Sequence, residues 1–175
     1  MEKNGIKKIA VIGAESTGKT WLCEALAKHY QTVFVPEYAR DYFNDSDIYN
    51  YTLNDLVLIA KKQLELENEN ILKARRFLFC DTTLITLKIW AELEFEQTPP
   101  FIESQLAEVE YDHYFLTDNE IPWTEDGLRQ NKHSRDLLFQ MNETEIKNLK
   151  IAYSVITGTD SERLINAIRI LDGLY

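Results

Sequence analysis

Cysteine, glycine and proline are all scarce in this 175-residue chain, at two, six and four residues. Cys23 and Cys80 lack the spacing of metal ligands and sit in apolar runs, which excludes a disulfide framework and predicts buried, reduced thiols. No repeat, low-complexity tract or long linker interrupts the sequence. Positive charge is also in deficit, 19 Lys and Arg against 29 Asp and Glu, for a net charge of −10. Such a surface argues against nonspecific binding of nucleic acid or anionic membrane. No apolar run approaches membrane-spanning length, and Met1-Glu2-Lys3-Asn4-Gly5 lacks a secretory apolar region, so a cytoplasmic protein is expected. His29, His113 and His133 are scattered without ligand spacing and read as structural or surface residues. With 45% hydrophobic and 11% aromatic residues, the chain has the composition of one globular α/β domain over residues 1–175.

One motif stands out. Residues 13–20 read Gly13-Ala14-Glu15-Ser16-Thr17-Gly18-Lys19-Thr20, a complete G-x-x-x-x-G-K-[ST] pattern. An apolar strand candidate, residues 8–12, precedes it, and helical spacing begins at Trp21. Glycines let the backbone turn its N–H groups toward an anion, and the following helix adds its positive end. Lys19 would reach the β/γ-phosphates and the Thr20 hydroxyl would ligate Mg²⁺. Residues 13–20 and the adjoining Trp21 are therefore the expected contacts to a nucleoside triphosphate.

Further apolar strands are expected at 32–35, 77–80, 114–116 and 153–156. Helical periodicity covers 52–74, then a segment through about 95, a shorter one at 101–109 beyond Pro99-Pro100, then 134–149 and a last helix from about 161. Alternating helices and continuous apolar strands indicate a five-stranded parallel sheet covered on both faces, a P-loop NTPase fold. Residues 118–135 are polar and long for a connection, the signature of a lid.

Ligands collect beyond the carboxyl ends of parallel strands. Asp81 ends the third strand, as a Walker-B-type carboxylate for Mg²⁺ or as an acceptor for a substrate hydroxyl; Asp is also a favoured helix cap. Glu37 follows Pro36 at the end of the second strand and is a candidate base, with Arg40 to clamp a phosphate or hold Glu37. Arg129 and Arg135 in or beside the lid are candidates to neutralise charge on a transferred phosphoryl group. Trp123 offers a surface for a base or substrate ring. Gly158 follows the fifth strand at a position suited to adenine, with Arg163 nearby.

Together the phosphate loop, Pro36-Glu37-Tyr38-Ala39-Arg40-Asp41-Tyr42, Cys80-Asp81-Thr82 and Pro122-Trp123-Thr124-Glu125-Asp126-Gly127-Leu128-Arg129 resemble, in this order, the NadR-type ribosylnicotinamide kinases. The resemblance covers essentially the whole chain. It implies ATP-dependent phosphorylation of the 5′-hydroxyl of nicotinamide riboside to nicotinamide mononucleotide for NAD synthesis, with Mg²⁺. It also implies a sheet order like that of nucleoside and nucleotide monophosphate kinases. Glu37, Tyr38, Arg40, Asp81, Trp123 and Asp126 are then the expected nucleoside contacts. With the phosphate loop at residue 13, a stand-alone kinase domain is expected, without the adenylyltransferase domain of bifunctional members. Pro36 replaces an aromatic residue that packs near the nicotinamide ring in bifunctional members, and Trp123 is a candidate substitute. The residues themselves leave open which of Glu37 and Asp81 is the base. They also leave two other functions standing, a kinase for another nucleoside or small alcohol and a regulatory ATPase or nucleotide switch without a small-molecule acceptor. Asn131-Lys132-His133-Ser134 lacks the Asp of a guanine signature. Composition does not choose between monomer and homo-oligomer.

Overall fold

The computed structural model describes residues 5–44, 50–123 and 135–175. Five strands, β1 (Lys7–Gly13), β2 (Phe34–Val35), β3 (Phe77–Asp81), β4 (His113–Thr117) and β5 (Tyr153–Ile156), form one sheet in the order β2-β3-β1-β4-β5. Every neighbouring pair is parallel. The helices are α1 (Lys19–His29), α2 (Tyr38–Asn44), α3 (Leu53–Asn70), α4 (Leu84–Phe95), α5 (Pro100–Glu108), α6 (Arg135–Leu149) and α7 (Asp160–Leu174).

The apolar runs are continuous because both faces of the sheet are covered. Ile9, Val11, Phe77, Phe79 and Phe115 point to one side and pack on Leu22, Cys23 and Leu26 of α1 and on Ala167 and Leu171 of α7. Ala10, Ile12, Leu78, Cys80, Tyr114 and Leu116 point to the other, against Ile85 and Ile89 of α4 and Leu138 and Ile146 of α6. Leu84, Leu87 and Ala91 on a different face of α4 meet Ala39, Phe43, Leu56 and Ile59 of α2 and α3, so α4 is buried on two sides.

Local signals explain the element ends. Thr52 caps α3 through a reciprocal capping box with Asp55, and Tyr42 donates to Asp55 Oδ1 at 2.5 Å, which ties α2 to the start of α3. β2 is shorter than its apolar run because Thr32 is taken by the preceding turn: its N donates to Ala27 O, and its hydroxyl bridges Phe77 O and Arg75 N. The short helix α2 follows Pro36-Glu37. Both cysteines are buried and unbridged, and burial pushes both thiols well up. His113 is buried with Nε2 2.9 Å from Ser154 Oγ, and His29 is exposed; His133 lies outside the described residues. Among the described residues no helix is long and apolar enough to cross a membrane.

Candidate active site

β1 is the middle strand; the chain runs from it to β2 and β3 on one side of the sheet and then crosses to β4 and β5 on the other. The crevice beyond its carboxyl end is the topological switch point, and residues 13–20 fill it. Gly13 has φ +150°, and a Cβ there would lie 2.2 Å from Thr117 Oγ1, so only glycine lets β4 approach this closely. Gly18 caps α1 in the left-handed region at φ +75°. Lys19 Nζ donates to Ala14 O at 2.8 Å, folding the lysine over its own loop. The loop is pinned beneath by Thr17 Oγ1, which donates to Ala14 O at 2.8 Å and lies 2.6 Å from Thr117 Oγ1.

Register places Asp81 beside Val11, one strand over from the loop. Asp81 is fully buried, and Thr20 Oγ1 donates to its Oδ2 at 2.5 Å. Burial, then repulsion from Glu37, raises the Asp81 carboxyl to about 6 against the opposing pull of Lys19, Thr20 and Arg40. The sign for stability follows. The folded state holds this proton over a range where the unfolded chain has already released it, so the Asp81 contribution to stability rises as pH falls from 7 toward 4. Between pH 7 and 5 the unliganded wild type should gain about 1 kcal/mol relative to Asp81→Asn, measured by urea denaturation at both pH values.

Glu37 is buried at the start of α2, and Arg40 Nε donates to its Oε2 at 2.9 Å. Gln63 of α3, itself buried, accepts from Tyr38 N at 2.9 Å and donates from Nε2 to Pro36 O at 3.2 Å. It splints the backbone on both sides of Glu37. Gln63→Leu should cost about 1–3 kcal/mol by leaving the Tyr38 N–H and Pro36 carbonyl without this partner, a loss read by chemical denaturation.

Between these elements opens a cleft lined by Gly13, Glu15, Ser16, Lys19, Glu37, Arg40, Thr86, Ile89, Trp90, Leu138 and Asn142. Loop, candidate base and candidate clamp thus share one wall system. The tryptophan on that wall is Trp90 of α4. Trp123 lies half-buried at the end of a described segment, and Asp126 and Arg129 lie outside the described residues. Trp21 is 41% exposed on α1, in a groove with Glu24, Lys28 and Leu164. Arg135 grips backbone: its Nη2 donates to Ile121 O at 2.7 Å and more loosely to Asn119 O and Ser16 O. Burial lowers its pKa.

The surroundings of Gly158 are held by a fully buried arginine. Arg163 Nε donates to Gly158 O at 2.8 Å, Nη1 to Thr17 O at 2.6 Å, and Nη2 pairs with Asp118. Glu120 Oε2 accepts from Gly158 N at 2.7 Å. Phosphate loop, end of β4 and start of α7 are therefore one hydrogen-bonded unit. Sequence spacing pointed to none of Gln63, Thr86, Trp90 or Asn142. A polar residue on an apolar helical face was the available signal for Asn142, which shares a face with Leu138 and Ile146.

Among the described residues no group of three or more His, Cys, Asp or Glu side chains is placed to hold a metal ion. Thr20 and Asp81 supply hard oxygen donors that suit Mg²⁺ completed by phosphate oxygens and water.

Known proteins place this architecture. The trifunctional NAD biosynthesis/regulator protein NadR of Escherichia coli (strain K12) is 28% identical over 147 residues, 79% of this chain and 36% of that protein. Its Salmonella typhimurium counterpart is 28% identical over 159 residues, 84% of this chain and 39% of that protein. The chain thus spans well under half the length of these relatives. A NadR protein solved in complex with NR superposes with a TM-score of 0.86 at 22% identity, over 98% of this chain and 52% of that one. A NadR protein in complex with NAD and AMP-PNP gives 0.82 at 20% identity, over 98% of this chain and 50% of that one. Thymidylate kinase from Candida albicans gives 0.66 at 14% identity, over 95% and 91%. The fold is that of the P-loop kinases, a five-stranded parallel sheet flanked by helices. The AAA domain family model matches residues 8–163, and the chain belongs to that family.

Proposed function

We propose that this chain is an ATP-dependent kinase that phosphorylates the 5′-hydroxyl of nicotinamide riboside, giving nicotinamide mononucleotide. The observation that carries the reading is the continuity of the phosphate loop with a cleft bearing Glu37 and Arg40. A hydrolytic switch needs no such second pocket. The relatives named for NAD biosynthesis, and the likeness to NadR proteins solved with NR and with AMP-PNP, favour this nucleoside and ATP.

The backbone N–H groups of residues 13–20 and the first turn of α1 cradle the phosphates. Lys19 Nζ leaves Ala14 O for the β/γ-phosphate oxygens, a short move for a half-buried side chain. Thr20 and Asp81 would hold Mg²⁺, which would supply positive charge to offset that on the phosphates. Glu37 orients the 5′-hydroxyl and takes its proton as O5′ bonds to the γ-phosphorus and the bond from that phosphorus to the leaving ADP breaks. Its place on the cleft wall, with Asp81 already engaged by Thr20, favours this division of labour. Arg40 keeps Glu37 aimed into the cleft. Arg135 steadies the loop through the Ser16 and Ile121 carbonyls, and Arg129 is assigned to the transferred phosphoryl group. Tyr38, Trp123 and Asp126 are assigned to the nucleoside, Gly158 and Trp21 to the nucleotide side. A small-molecule partner, one kinase domain and a cytoplasmic setting complete the proposal.

Incubation with Mg-ATP and a nucleoside panel, read by mass spectrometry, tests it. Nicotinamide mononucleotide formed by wild type and not by Lys19→Ala is the expected result. ADP release with no phosphorylated acceptor would reject the reading.

A further inference from the structure

The cleft contains two polar atoms that the unliganded fold leaves without a hydrogen bond. Thr86 on α4 is 9% exposed and Asn142 on α6 is 2% exposed, and both line the cleft. Thr86 Oγ1 and Asn142 Oδ1 are shielded from solvent and have no hydrogen-bond partner. The orientation of the Asn142 amide is set by its other end, since Nδ2 donates to Leu138 O at 2.8 Å. Oδ1 is therefore left as an acceptor. Thr86 presents a hydroxyl, free to donate. Folded proteins rarely leave buried groups of this kind uncompensated, because each forfeits its hydration for nothing. Two of them line one cleft, whose apolar wall is Ile89, Leu138 and Trp90. Such a surface suits a flat ring bearing one polar substituent.

We infer that Thr86 and Asn142 recognise the carboxamide on the acceptor's pyridine ring and reject the corresponding carboxylate. Thr86 Oγ1 donates to the carboxamide oxygen, and Asn142 Oδ1 accepts from its NH₂. One donor and one acceptor in the cleft match one acceptor and one donor on a primary amide. A carboxylate offers only acceptors, so it would set oxygen against Asn142 Oδ1. The inference rests on the proposed nicotinamide riboside reaction and adds to it the residues that choose the ring substituent.

The test compares nicotinamide riboside with nicotinic acid riboside as acceptors for wild type, Thr86→Val and Asn142→Leu at saturating Mg-ATP. Wild type should favour the amide by about a hundredfold or more in kcat/KM. Thr86→Val is nearly isosteric and should raise the KM for nicotinamide riboside about tenfold while leaving the KM for ATP unchanged. Its melting temperature should be unchanged or higher, because the hydroxyl has no bond to lose; a merely structural threonine would show the reverse pattern. Asn142→Leu should narrow the amide preference, and if that variant does not fold, Thr86→Val decides alone. Equal use of both ribosides by wild type overturns the inference and leaves the kinase reading standing. So does an unchanged riboside KM in Thr86→Val, which would mean that buried water satisfies the two atoms. Failure of wild type to phosphorylate nicotinamide riboside rejects the kinase reading and the inference together.

Discussion

Lys19→Ala should lower phosphoryl transfer by about a thousandfold or more while leaving the fold intact. A cation aimed at phosphates in a water-poor crevice stabilises developing charge far more than it would in bulk water. The fold loses little, because the Ala14 carbonyl to which Lys19 Nζ donates keeps the Thr17 hydroxyl as a donor. Turnover should therefore collapse without a matching fall in melting temperature. The check pairs product formation at saturating nicotinamide riboside with a thermal melt of the same preparation. A variant within tenfold of wild-type turnover would show that the loop's backbone donors alone carry the electrostatic stabilisation.

The second large effect is expected at the acceptor side. Glu37→Gln keeps the size of the side chain and an oxygen for Arg40 Nε, now 2.9 Å away, but removes the proton acceptor. Turnover should fall by about 10² to 10⁴, the ordinary contribution of a positioned base, with ATP affinity nearly unchanged. Asp81→Asn should differ in kind. It weakens the Thr20–Asp81 oxygen pair, so the gain in ATP affinity on adding Mg²⁺ should shrink along with the rate. Equilibrium binding of a fluorescent ATP analogue with and without Mg²⁺ separates the two variants. Wild-type turnover in Glu37→Gln would remove it as the base.

Some of this was legible in the residues. The five strands, the phosphate loop and the placing of Glu37, Asp81 and Gly158 at strand ends all follow from local signals, and the sheet agrees with them. Boundaries moved where a side chain had a non-local partner. Thr32 bonds to Phe77 O and Arg75 N, which shortens β2, and Tyr42 reaches Asp55 to anchor α2. Arg163 looked like a neighbour of a turn glycine; it is a buried strut joining Thr17, Asp118 and Gly158 across most of the sequence. The expected aromatic substitute, Trp123, and the tryptophan that lines the cleft, Trp90, are different residues.

By itself the sequence determined what depends on backbone conformation and periodicity. Glycine alone suits φ +150° at position 13 and is favoured at φ +75° at position 18, a Lys-Thr pair after the second glycine suits bound phosphates, and unbroken apolar strands demand a sheet covered on both sides. Tertiary structure alone decided which helical faces meet at the cleft. Spacing tells that Thr86 and Trp90 share a face of α4, and Leu138 and Asn142 a face of α6, but α4 is apolar nearly all round and offers several faces to bury. Which face turns toward Lys19 and Glu37 depends on packing between α4, α6 and the sheet, contacts separated by tens of residues whose energies have no local sequence signature.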